Sequence, residues 1–295
     1  MRLIGMMPCR NEDWVLGLSA RAALMWCDVL VILNHASTDG TEAIIFDLMA
    51  EFPSRVFAEP IDGDWAEMQH RQRMLDFSRQ LGATHLAIVD ADEVLTGNLL
   101  GSIRTHIECM PKGWILQLPG YNLRGGLDRY HGNGIWGQRW FSTAFGDDPR
   151  LGWSGDRFHQ REPSGGIVRQ SRPIAQGQGG IMHLWGASER RLRAKHAAYK
   201  MIETLRWPSK SKQDIDRLYN LAFVPSANMQ FEQLWRYAEV PADWWAPYSE
   251  LRSCVKLDTI PWQEEMCRTL HVEHGSERFA GLDLFGVVEP AAVTQ

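Results

Sequence analysis

The sequence predicts an α/β fold: a mostly parallel sheet flanked by helices, followed by a mainly helical C-terminal extension. Over residues 1–90 short apolar runs alternate with amphipathic segments, the pattern of strand-helix-strand units around a parallel sheet. Val29-Leu30-Val31-Ile32-Leu33 is a continuous apolar run of strand length, as expected of a strand covered on both faces. Residues 206–295 read as helical segments separated by turns at Pro208, Pro225, Pro241, Pro247 and Pro261.

The elements follow in order. Leu3 to Met7 is the first strand, and Glu12 to Trp26 a helix that Asn11 can cap. After the central apolar run comes the polar turn Asn34 to Thr41, then Ile44, Ile45, Leu48, Met49 and Phe52 at helical spacing. Asp39 with Glu42 three residues on has the form of a capping box. Arg55 to Ala58 is a third strand, Trp65 to Leu81 a third helix, and His85 to Val89 a fourth strand that runs into Asp90. Between Gly120 and Gly186 glycine, arginine, tryptophan and histidine are dense, with strand-like patterning only at 138–145 and 181–184; Ala187 to Leu205 is helical again. Long irregular stretches in a compact domain are more often functional than accidental. The expected organisation is a domain over 1–205, its halves dividing near residue 118, and a helical region over 206–295.

Composition narrows the function. A formal net charge of -5 and a pI near 6.1 give no global attraction to nucleic acid or anionic membrane, so any phosphate site must be local. Five cysteines, far apart and without a C-x-x-C pair, indicate neither a disulfide framework nor a zinc knuckle. The apolar run at the N-terminus is too short for a signal peptide, and no stretch approaches the roughly 18 apolar residues of a membrane span. A cytoplasmic protein, at most peripheral at a membrane, is the expectation. Thirteen tryptophans, several in glycine- or proline-rich surroundings, can serve as core anchors or as surfaces for sugar rings.

In an open α/β sheet, ligands bind beyond the carboxyl ends of the strands. There the chain carries Pro8-Cys9-Arg10-Asn11-Glu12, then Asn34 to Asp39, then Asp62-Gly63-Asp64, then Asp90-Ala91-Asp92-Glu93. Two aspartates one residue apart can offer oxygen ligands to Mg²⁺ or Mn²⁺ while leaving positions for diphosphate oxygens. Taken in order, Pro8 to Glu12, Asp28 to Leu33 with Ser37-Thr38-Asp39-Gly40-Thr41, and Ile88 to Glu93 resemble the family 2 glycosyltransferases, over roughly residues 1–205. The resemblance implies a Rossmann-like GT-A fold and a nucleotide-diphosphate sugar donor. It places Pro8, Arg10, Asn11 and Glu12 around the nucleotide; Asn34, Asp39, Asp90 and Ala91 are further donor-side candidates, Asp90, Asp92 and His183 candidates for the metal, and Arg71 and Arg73 can pair with phosphates or equally be solvated helix arginines. The family usually has an Asp-Asp-Gly-type turn where this chain has Asn34-His35-Ala36, which leaves the base of the nucleotide open.

Gly180 to Gly186 resembles the family segment in which a histidine, here His183, returns to the metal or diphosphate. Trp153 to Gln160 resembles a segment near the acceptor, placing Trp153 and His159 on that side; the family's acid is replaced by Gln160. An inverting transfer, implied by the resemblance, needs a carboxylate to take the acceptor proton. Asp156 is the first choice and Asp148 the second, although Asp147 and Asp148 can equally hold the turn before Pro149. The acceptor is open among a glycan, a lipid-linked glycan, a protein and a nucleic acid. Two other readings stand beside this one. A nucleotidyltransferase would want a glycine-rich basic loop after the first strand, which Cys9-Arg10-Asn11-Glu12 is not. A carbohydrate-binding protein without turnover is left open by Asn34 and Gln160.

Overall fold

A computed structural model describes residues 1–137, 139–157, 160–165, 169–223 and 236–288. In chain order its elements are β1 (Leu3–Cys9), α1 (Leu16–Leu24), β2 (Val29–His35), α2 (Thr41–Glu51), β3 (Val56–Ile61), α3 (Glu67–Gln80), β4 (His85–Ile88), β5 (Glu93–Leu95), α4 (Ile103–Glu108) and β6 (Trp114–Arg124). There follow β7 (Arg129–His131), α5 (Gly134–Gly137), β8 (Arg139–Gly146), β9 (Arg169–Ser171), β10 (Ile181–Gly186), α6 (Glu189–Arg206), α7 (Lys212–Asn220), β11 (Tyr237–Glu239), α8 (Ala242–Trp245), α9 (Trp262–His274) and α10 (Ser276–Phe279). Two compact units emerge: Met1–Tyr121 with Gln138–His183 and Val240–Lys256, and Asn122–Gly137 with Leu184–Glu239 and Leu257–Gln295. The sequence expectation divides the chain at residue 205; each compact unit is drawn from three separate stretches of the chain.

The first unit is the expected helix-flanked, mostly parallel sheet. Strands β3, β2, β1 and β4 lie side by side and parallel. Antiparallel β8 joins β4, β6 joins β8, and β9 runs parallel to β6. Alternate residues build the two faces, because successive side chains of a strand point to opposite sides. Leu3, Met7, Leu30, Ile32, Ala87 and Val89 share a core with Leu16, Ala20 and Ala23 of α1, Leu48 of α2 and Ile103 of α4. Ile4, Met6, Val29, Val31, Leu86 and Ile88 face Met68, Met74 and Leu75 of α3. Chain order reverses between β1 and β4, which puts the ligand crevice of such sheets at their carboxyl ends. The register pairs Met6 with Ile88, the last residue of β4, so Asp90 follows directly at the carboxyl end of the sheet.

Two helix starts differ from expectation. Asn11 does not cap α1: it takes a left-handed φ of 54°, its side chain turns to Thr38, and the helix begins at Leu16. Asp39 forms no capping box with Glu42. Its Oδ1 accepts from the Thr41 amide and its Oδ2 from the Asp13 amide, which joins two loops.

In the second unit α6 starts at Ser188, whose side chain accepts from the Arg191 amide. Ala197, Ala198 and Met201 of α6 pack with Cys267 of α9 and Phe279 of α10. Lys200 is wholly buried and donates to Asp216 Oδ1 (2.7 Å), Asn220 Oδ1 (2.6 Å) and the Asp283 carbonyl (2.6 Å), which matches its three donors. Strands β7 and β11 pair antiparallel. Among the described residues no helix is long and apolar enough to cross a membrane.

Candidate functional site

The loops after β1 and β2 are knitted together. The Asn11 amide donates to Ser37 Oγ (2.9 Å), the Thr38 amide to Asn11 Oδ1 (2.6 Å), and the Glu12 amide to Thr41 Oγ1 (2.8 Å). Pro8, Arg10, Asn11, Glu12 and Asp39 therefore belong to one ledge at the carboxyl end of the sheet. Asn34, at the end of β2, is 9% exposed, and its Oδ1 is buried without a hydrogen-bond partner among the described residues. Such an orphan acceptor costs free energy unless something binds it. Next to it, His35 Nε2 lies 2.8 Å from the Gly63 carbonyl and its ring 4.7 Å from that of His70. Burial, with help from His35 and Arg73, pushes the His70 pKa down to about 4.

The Asp90–Glu93 turn is set between two arginines. Arg71 of α3 donates to Asp90 Oδ1 (3.2 Å) and Arg161 to Asp90 Oδ2 (2.8 Å). Burial alone would raise the Asp90 carboxyl, but these guanidiniums outweigh it and hold it below the usual range. Arg161 also grips Glu93 with two bonds, at 2.7 and 2.6 Å. Asp92 is in a different setting: its Oδ2 faces His183 Nε2 at 3.4 Å, the two side chains being 10% and 18% exposed. His183 comes from β10, which antiparallel pairing with β5 places opposite Glu93. One carboxylate and one imidazole converging with some access to solvent fit a divalent cation that takes its other ligands from water and diphosphate. Asp90, with both oxygens on guanidiniums, fits that role less well. No cluster of three or more metal-binding side chains occurs among the described residues.

On the acceptor side, Trp153 is 4% exposed and packs with Phe145, so its ring belongs to the core rather than to a surface for sugars. His159 lies outside the described residues. Asp156 is exposed and lines, with Trp153, Gln72, Arg73 and Asp76, an open cleft of about 660 Å³. Asp148 accepts from the Arg150 amide and guanidinium (2.9, 3.0 and 2.6 Å), which holds its carboxyl far below the usual range. That is the turn-holding role, and so tied a carboxylate is a poor base. Asp147 is likewise paired, with Arg79 at 2.8 Å.

Sequence reasoning does not find Arg161 or Glu93 as partners of Asp90, nor Glu162, whose Oε1 accepts from Ser142 Oγ (2.5 Å) and Gln117 Nε2 (2.8 Å). The one signal within reach is that a basic and an acidic residue directly follow Gln160.

No protein-family model matches the chain, and no curated protein matches it. Among solved structures it is similar to that of TarS 1-349 from S. aureus, at 11% identity over 95% of this chain and 88% of that one, with a TM-score of 0.46. It is similar to glucosyl-3-phosphoglycerate synthase from Mycobacterium tuberculosis in complex with Mg2+ and uridine-diphosphate, at 15% identity over 41% and 43% of the two chains, with a TM-score of 0.31. A putative glucose-1-phosphate thymidylyltransferase from Bacillus anthracis gives 10% identity, 61% and 89% coverage and a TM-score of 0.38.

Proposed function

We propose that the chain is a glycosyltransferase that moves a sugar from a nucleotide-diphosphate donor to an acceptor hydroxyl, with a divalent cation, Mn²⁺ or Mg²⁺, and with inversion at the anomeric carbon. The observation that carries this reading is the Asp92–His183 pair, with Asp92 standing just beyond the carboxyl end of β4. In it, Asn34 offers its amide oxygen to the base or ribose, and Pro8, Arg10, Asn11, Glu12 and Asp39 line the nucleotide. Asp92 and His183 hold the cation. Asp90 and Arg71 support the turn, whose Ala91 backbone borders the donor. A cation held there would supply charge neutralisation to the departing diphosphate. The acceptor proton goes to a carboxylate, for which Asp156 is the candidate.

Melting curves of the full chain with a panel of nucleotide-diphosphate sugars, with Mn²⁺ and with EDTA, test the reading, since a ligand of the native state raises its melting temperature. The expected result is a rise that needs both one nucleotide and the metal, and that Asp92→Ala removes. A metal-independent rise with every nucleotide, or none with any, would count against the reading. Asp156→Asn should keep that rise and slow sugar release to water at least ~100-fold.

A further inference from the structure

We propose that Arg161 is a positioning residue for the Asp92–His183 pair, tying the segment after Trp153 to the place where the cation is held; this rests on the function proposed above. A guanidinium has five N–H donors, and here every one is used. Nε donates to the Ser142 carbonyl (2.6 Å), Nη1 to Asp90 Oδ2 (2.8 Å) and Glu93 Oε1 (2.7 Å), and Nη2 to the Ile88 carbonyl (2.8 Å) and Glu93 Oε2 (2.6 Å). The contacts bracket Asp92 in the chain. Asp90 and Glu93, on either side of it, are both gripped by one rigid fork, so the turn that presents Asp92 has little freedom. His183 is reached by a second path. Arg161 lies over the Phe141 ring (5.4 Å), and Phe141 meets the His183 ring edge-on (5.5 Å, 73°).

Any buried guanidinium needs its donors satisfied; what ties this one to the site is that its two carboxylate partners flank Asp92. A Lys at the position keeps the charge but offers three donors from one point, which cannot reach two carboxylates and two carbonyls on separate strands. Residues that orient metal ligands typically change affinity by about 10- to 100-fold when altered.

The experiment is a titration of the full chain with Mn²⁺ alone, followed by the spin-resonance signal of the free ion, for the unaltered protein, Arg161→Lys and Asp92→Asn. Each is held well below its own melting temperature and checked for folded circular dichroism. The expected result is measurable binding in the unaltered protein, loss in Asp92→Asn, and at least a ~10-fold weaker affinity in Arg161→Lys. Unchanged affinity in Arg161→Lys, with only a lower melting temperature, would make the arginine structural and overturn the proposal while leaving the function standing. Absence of binding by the unaltered protein, with Mn²⁺ alone and again with uridine diphosphate added, would remove the cation itself, and both readings with it. Should Arg161→Lys not fold, Phe141→Leu decides: weaker Mn²⁺ binding supports the positioning role, and unaltered affinity overturns it.

Discussion

Asn34 stores a small imbalance at the end of β2, a buried amide oxygen to which nothing donates among the described residues. Replacing it by Leu, of similar size, breaks no bond at that oxygen, so the melting temperature should hold or rise. Nucleotide affinity should fall roughly tenfold, the worth of one hydrogen bond. Paired unfolding and nucleotide titrations of Asn34→Leu check both; a drop in stability with intact binding would assign the amide to the fold. At this scale the sequence is a partial guide. Asp90-Ala91-Asp92 reads as a pair of equivalent carboxylates, and the strand before it is enough to place both at a sheet end. What separates them is Arg161, 71 residues away from Asp90 in the chain, and no local pattern announces such a partner. Trp153 shows the converse: glycine-rich surroundings suggest display, while burial among core side chains is decided by β8 and α3.

Strands β1, β2 and β4 were legible because each is an apolar run buried among core side chains, and they fall within a residue or two of the expected limits. β9 and α5 were not, since short elements in the 120–186 stretch exist through pairing partners rather than periodicity. β10 depends on a close backbone approach just before it. Gly180 has φ 156°, and a Cβ there would stand 1.9 Å from the Pro119 carbonyl oxygen. Its amide donates to Thr96 Oγ1 at 2.9 Å, and its carbonyl accepts from the Thr96 amide at 2.8 Å. Gly180→Ala should cost at least about 1–3 kcal/mol. Because His183 lies three residues on, it should weaken Mn²⁺ binding as well. Chemical denaturation and the same metal titration read the two effects separately.

For the molecule as a whole, each compact unit is drawn from three separate stretches of the chain, which a reading of local patterns does not announce. Residues 240–256 rejoin the first unit through contacts such as Trp244 against Tyr121, with ring centroids 4.4 Å apart, and no periodicity encodes a return over that distance. Thiol chemistry should be uneven. Cys9, Cys27 and Cys267 are buried, and burial pushes their thiols up, Cys267 to about 12. Alkylation followed by mass spectrometry should mark exposed Cys109 first and spare those three until unfolding. Acid should weaken the fold by a defined route. Burial lowers His70 and His131 from 6.5 to about 4, so between those values the unfolded chain binds more protons. Stability is then greatest above pH 6.5 and declines as pH falls toward 4; melting curves across that range should show the slope, and His70→Gln should flatten it. The stitched loops carry a last consequence, one of disorder rather than contact. Loops that are already crosslinked through Asn11, Ser37, Thr38 and Thr41 have little chain entropy left to lose when a nucleotide arrives. Calorimetry of the binding step should accordingly find a modest entropic penalty, and unpicking one stitch with Ser37→Ala should enlarge it before any contact to the ligand is lost.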